Sequence, residues 1–259
     1  MPRFSINVSF MLTDYPFLDR FAVAADLGFR AVDIQFPYDT APEAIIAKAE
    51  AAGVEIVLHN LPAGDRTAGD LGLAAIPGRE QEFRAGVRKA LAYSKLLGNR
   101  RVNILAGVVP ADVPRESARQ TFRENLVYAT ELFGVAGLTV MIEPANSHDL
   151  PGFFLQTAEQ AADVIALVGA TNLKIQLDLY HCRMMGADPV VELEKYLPLI
   201  DHIQFADAPG RHQPGTGEID FTGAFSAIDR LGYGGWVGAE YSARGALADS
   251  LGWMEPYRI

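Results

Sequence analysis

The sequence predicts a closed (β/α)8 barrel, on three observations. Short apolar, β-rich runs alternate with longer amphipathic segments from end to end, the pattern of a parallel sheet covered by helices. Eight such pairs fit in 259 residues, close to the roughly 250 typical of α/β barrels. No Gly-x-Gly-x-x-Gly turn follows the first run, which argues against a dinucleotide-binding open sheet. No Pro/Gly-rich linker or low-complexity segment divides the chain, so residues 1–259 are read as one domain.

The strands are expected near Phe4–Ser9, Ala31–Gln35, Glu55–His59, Arg101–Leu105, Thr139–Glu143, Leu173–Asp178, His202–Phe205 and Val237–Tyr241. Among the intervening segments, Gly78–Leu97 places Phe83, Val87, Leu91 and Ser94 on one helical face, with Gly98 as the stop. Arg115–Phe133 does the same with Phe122, Leu126, Ala129 and Phe133, and Gly134 reads as its stop. Thr157 with Gln160 has the spacing of a capping box, and Gly169 closes that helix. Asp220 is a suitable N-cap for a helix that faces Phe221, Phe225 and Ile228 inward. Two loops, Asn60–Pro77 and Ala206–Ile219, exceed what connection requires, and long ordered loops often carry function.

Composition narrows the function class. The formal charge is -10 and the mean hydropathy +0.09, a globular, acidic chain. Such a chain repels phosphate backbones, so nucleic acid is a poor partner. An acidic substrate would need a local cation. One cysteine excludes an internal disulfide. No apolar run of about 18 residues is present, so no membrane span is expected. A cytoplasmic location is the default expectation, and a homo-oligomer stays open.

Side chains at the C-terminal strand ends of such a barrel face its mouth. Four successive strands end on polar groups there: Glu143, Asp178, Gln204 and Glu240. A lone Glu at a strand end is ordinarily a rim salt-bridge partner. Three carboxylates and an amide gathered on one rim are different, because the carboxylates repel unless a cation joins them. All-oxygen ligation suits one hard divalent ion, Mg²⁺ or Mn²⁺. His59, at the end of the third strand, and His181, three residues past Asp178, are candidate substrate contacts. His202 is expected to pack within strand 7, and His148 and His212 to lie on the surface.

Taken together, Phe4-Ser-Ile-Asn-Val-Ser9, His59-Asn-Leu-Pro-Ala-Gly-Asp65, Ile76-Pro-Gly-Arg-Glu80, Ile142-Glu-Pro-Ala-Asn146, Asp178-Leu-Tyr-His181, Pro214-Gly-Thr-Gly-Glu-Ile219 and Gly235-Trp-Val-Gly-Ala-Glu240 are specific. The sequence resembles the hydroxypyruvate isomerase family of xylose-isomerase-like TIM barrels, which includes 2-oxo-tetronate isomerases. The resemblance implies that Glu143, Asp178, Gln204 and Glu240 ligate the metal and that Glu143 and Glu240 exchange protons with the substrate. It implies isomerisation of hydroxypyruvate to tartronate semialdehyde, or of 2-oxo-tetronate to 3-oxo-tetronate, through an enediolate. Related sugar epimerases usually carry His at the strand-7 ligand position, so Gln204 favours the keto-acid branch. The chain departs from the family pattern at Arg66-Thr67, where an aromatic is usual, and after Ser242. Arg66, Arg79 and Arg211, all in loops, are candidates to receive the substrate carboxylate.

Three other readings compete. A sugar 3-epimerase or aldose-ketose isomerase would share the metal and both glutamates. An endonuclease-IV-like DNA-repair barrel would need many His ligands and a basic face, and the chain has five His and a charge of -10. A non-catalytic barrel would have no reason to concentrate carboxylates.

Overall fold

The computed structural model describes residues 1–257; residues 258–259, the end of the predicted domain, lie outside that range. Eight parallel strands close into a barrel in sequence order: β1 Arg3–Asn7, β2 Ala31–Ile34, β3 Glu55–Asn60, β4 Arg101–Ile104, β5 Thr139–Ile142, β6 Leu173–Asp178, β7 Ile200–Phe205 and β8 Trp236–Ala239, with β8 returning to β1. The crossovers carry α1 Val8–Met11 and α2 Arg20–Asp26, α3 Pro42–Ala52, α4 Glu80–Leu97, α5 Arg115–Val135, α6 Ala158–Val168, α7 Leu179–Met184 and α8 Pro189–Tyr196, then α9 Phe221–Arg230. Every helical face expected to be apolar packs inward, with Leu91 only partly buried.

The differences from expectation are local and have physical causes. Asn7 ends β1 because its side-chain oxygen caps α1, accepting from the N–H groups of Ser9 (3.0 Å) and Phe10 (3.1 Å); Val8 is therefore helical. Pro144 has no N–H to continue the β5 ladder, so Glu143 stands just past the strand. Gly134 does not stop α5, which runs to Val135; the chain turns at Gly137, where φ is +70°. Thr157 caps α6 through Gln160 N–H, but Gln160 Oε1 accepts from Gln156 N–H, so the box closes one residue early.

Among the described residues the eighth helix of the expected barrel is not formed. Ala248–Tyr257 is a succession of 3-10 turns, and Gly252 and Pro256 within it explain why no α-helix propagates. The gap beside β1, β7 and α9 is filled instead by rings. Trp253 packs edge-on against Phe4 (4.9 Å between centroids) and Phe205 (5.0 Å), and Tyr257 against Phe225 (5.5 Å).

The apolar core lies mainly between sheet and helices. Inside the barrel Ala31, Val57, Leu58 and Met141, with Trp236, form an apolar patch. Much of the rest of the interior is polar. Ser5 Oγ donates to Asp33 (3.1 Å), and Asp33 pairs with His202 Nε2 at 2.9 Å. Gly238 on β8 leaves room for this pair, because a Cβ there would press on the Asp33 carboxylate and on His202 Nε2. This places His202 within strand 7 as expected, but against an acid in the barrel interior.

Candidate active site

The mouth is built from strand ends whose polar atoms divide their duties. Asp178 ends β6 and caps α7, its Oδ1 accepting from Tyr180 N–H at 2.9 Å. That leaves Oδ2 turned toward Arg211 (3.5 Å) and His181 Nε2 (3.8 Å). Glu240 follows β8 and takes donors on both oxygens. Oε2 accepts from Asn7 Nδ2 (2.6 Å) and Gln204 Nε2 (2.8 Å), and Oε1 from Arg211 (2.7 Å) and Gln35 (3.5 Å). The capping role of Asn7 Oδ1 fixes which way that amide faces. Glu143 Oε2 accepts from Asn103 Nδ2 at 2.8 Å, and Gln204 Oε1 accepts from Gln176 Nε2 at 2.6 Å.

All four predicted rim residues are buried, Glu143 at 8% and Glu240 at 5% exposure being the most open. Burial pushes the Glu143 carboxyl up to about 8, with Glu240 and Asp178 adding repulsion. Burial likewise raises Glu240 to about 7 against the pull of Arg211. Asp178 is raised by burial, again opposed by Arg211. For Arg211, burial alone would lower the guanidinium, but Glu240, Asp178 and Glu143 together hold it above its ordinary value. One guanidinium facing three buried carboxylates leaves a charge deficit that a divalent cation would fill. An oxygen of Glu143 and one of Asp178 lie within 4.8 Å of each other, so the carboxylate lining of the mouth fits an ion.

The histidines separate by their partners. His181 Nδ1 meets Asn146 Nδ2 at 2.7 Å and its backbone N–H at 3.3 Å. Asn146 Oδ1 is already committed to the N–H groups of His148 and Asp149, so its NH₂ faces the ring. His181 Nδ1 is therefore an acceptor and Nε2 carries the proton toward Asp178. Burial keeps the ring neutral, well below its ordinary pKa. A protonated Nε2 offers no lone pair to a metal, but it can donate to a substrate oxygen.

His59 is positioned differently. Its Nε2 meets Ser94 Oγ of α4 (3.0 Å) and its Nδ1 meets Tyr38 Oη (3.1 Å). Strand alternation turns it out to the helical layer, while Asn60, one residue on, turns in to meet Asn103 (3.3 Å).

The three loop arginines also part ways. Arg211 joins the carboxylates, its guanidinium between the rings of Phe10 (4.8 Å) and Tyr180 (5.2 Å). Arg79 is bound by Asp70 (2.7 Å) and Glu82 (2.8 Å). Arg66 lies over Phe36, 4.6 Å from its centroid, just beyond the end of β2.

A closed parallel barrel with acidic and amide groups at the C-terminal strand ends defines a class, and the chain belongs to it: residues 21–257 match the family described as "Xylose isomerase-like TIM barrel". Within that family the chain is 44% identical to 2-oxo-tetronate isomerase of Cupriavidus necator, covering 99% of each chain, and 44% identical to hydroxypyruvate isomerase of Escherichia coli (strain K12), covering all of both. A solved structure described as AP endonuclease, family 2, from Brucella melitensis superimposes with a TM-score of 0.97 at 40% identity over the full length of both. Relatives of this identity over their whole length make the chain an isomerase.

Proposed function

We propose that the chain isomerises a small 2-keto, 3-hydroxy acid, hydroxypyruvate or a 2-oxo-tetronate, by moving a proton between adjacent carbons. The observation that carries this is the set Glu143, Asp178, Gln204 and Glu240, delivered by consecutive strands and coupled through repulsion and Arg211. The named activities of the full-length relatives agree with it.

Glu143, Asp178, Glu240 and Gln204 would hold one Mg²⁺ or Mn²⁺. Such an ion supplies an electrophile that polarises a carbonyl and makes the neighbouring C–H more acidic. The rest is the work of the chain. One glutamate takes the proton from C3 of hydroxypyruvate, and an enediolate forms. A proton is then delivered to C2 while the hydroxyl proton passes from O3 to O2, giving tartronate semialdehyde. His181 presents its Nε2 proton to a substrate oxygen. Arg211, whose buried Nε has no acceptor, provides the cation that an anionic substrate needs in a chain of charge -10.

Proton NMR in D₂O tests this, with hydroxypyruvate and both 2-oxo-tetronate epimers offered separately, with added Mg²⁺ or Mn²⁺ and again with EDTA. Metal-dependent product carrying deuterium from one acid is the expected result and names the substrate. Absence of both turnover and exchange on all three would sink the keto-acid reading. The Brucella description raises DNA repair as a rival; the net charge of -10 disfavours it, and salt-sensitive DNA binding would revive it.

A further inference from the structure

The Ala206–Ile219 loop delivers Arg211 to the mouth, and the loop is wound around one side chain. Asp207, fully buried, accepts five backbone N–H groups. Oδ1 takes those of Ala208 (2.9 Å) and Ile219 (3.1 Å). Oδ2 takes those of Gly215 (2.9 Å), Thr216 (2.9 Å) and Gly217 (2.8 Å). A nest of successive N–H groups is an anion site, and here the anion is internal. Only a carboxylate offers acceptors on both arms. An amide of the same shape would turn N–H against N–H on one arm. Gly217 packs so closely that an added Cβ would lie 2.6 Å from Asp207 Oδ1.

The same winding fixes Arg211. Asp207 N–H donates to His212 O (2.8 Å), closing the turn that contains Arg211. Arg211 itself sits at φ +55°, a conformation that a non-glycine residue holds only when its surroundings impose it. Its carbonyl accepts from Ser242 N–H (2.8 Å), and His212 Nδ1 meets Ser242 O (2.7 Å). The loop is thus gripped at both ends by Asp207 and held at its middle by the segment that follows Glu240.

We infer that Asp207 is a positioning residue for the isomerase reaction: its carboxylate holds the loop in the one winding that sets Arg211 against Glu240 and Asp178. The inference rests on the proposed role of Arg211 at the substrate. Asp207 itself touches no reacting atom.

A double-mutant cycle on the metal-loaded protein tests it, using Asp207→Asn, Arg211→Ala and both together. Asp207→Asn is expected to lower kcat/KM on the order of 10²-fold, the scale of a misplaced catalytic group, and to add nothing once Arg211 is gone. A residue that merely stabilised the barrel would instead give effects that multiply. Brief trypsin treatment is the second readout. The Arg211–His212 bond should be resistant in the native protein and cut in Asp207→Asn, while the barrel keeps its circular dichroism. If Asp207→Asn does not fold, Gly217→Ala perturbs the same nest and replaces it in both arms. Independent effects in the cycle, or an uncut loop in a folded variant, would overturn the inference. If the native protein turns over no keto acid, the functional reading fails, and the trypsin arm still decides whether Asp207 holds Arg211.

Discussion

Glu240 accepts from four side chains, and three of those donors, Asn7, Gln204 and Arg211, make further bonds of their own. Asn7 is locked by the helix it caps, and Gln204 is held by Gln176. Glu143 has fewer donors, Asn103 and Gln176. The two glutamates should therefore respond differently to the same change. Glu143→Gln keeps shape and removes the proposed base, so turnover is expected to fall by about 10²–10⁴-fold, with the melting temperature of the metal-free protein at or above that of the native one, since a carboxyl that burial and its neighbours disfavour is gone. Glu240→Gln should lose turnover as fully and also lose stability, because its new NH₂ faces donors. Steady-state assays and thermal melts on both variants check this; an active Glu143→Gln would remove that residue from the mechanism. The four rim residues were legible in the sequence because each ends or interrupts an apolar run. Asn7, Gln35, Asn103 and Gln176, which donate to that set, carry a fainter signal. A strand buried on both faces is nearly continuous in apolar residues, so each polar interruption at the inward parity marks the barrel interior. The same parity separates His59 from Asn60: His59 turns out to Ser94 and Asn60 turns in to Asn103.

At the level of elements, the β3–α4 pairing shows how a histidine that looks functional serves packing. His59 bridges Ser94 on α4 and Tyr38 after β2, and burial lowers its pKa to about 4. It stays neutral and links the strand to two helical-layer groups. Ser94→Ala leaves Nε2 buried without that donor, which should cost about 1–3 kcal/mol and leave kcat unchanged; chemical denaturation and kinetics measure the two separately. A fall in kcat at unchanged stability would return His59 to the site. Strand positions were readable to within one or two residues, since apolar runs and their Gly and Pro boundaries are local signals. The eighth helix was not readable as absent. Its replacement by the contacts of Trp253 and Tyr257 with Phe4, Phe205 and Phe225 depends on rings that are distant in sequence and meet only when the barrel closes.

Across the whole molecule, the buried carboxylates tie stability to pH and to metal. In the metal-free protein Glu143 and Glu240 are raised to about 8 and about 7, and Asp178 is raised as well. A raised acid binds more protons folded than unfolded, so folding weakens as pH climbs from the ordinary carboxyl range to the folded value. Buried histidines act oppositely. His59 and His181 are lowered, so their contribution grows as pH rises to about 6.5 and is constant above it. The two effects oppose each other below that point, and only the carboxylates act in the window from about 6.5 to 8. The EDTA-treated protein should therefore melt progressively lower as pH is raised through that window. Excess Mg²⁺ or Mn²⁺ should reverse the slope, because ligation requires deprotonated oxygens and ion binding to the folded state grows with pH. Melting curves at several pH values between 6.5 and 8, with EDTA and with each metal, read this directly. A stripped protein whose melting temperature stays flat or rises would mean that the three carboxylates are not the uncompensated charge cluster from which the metal site is argued. A downward slope that neither ion reverses would leave the cluster in place and remove the metal.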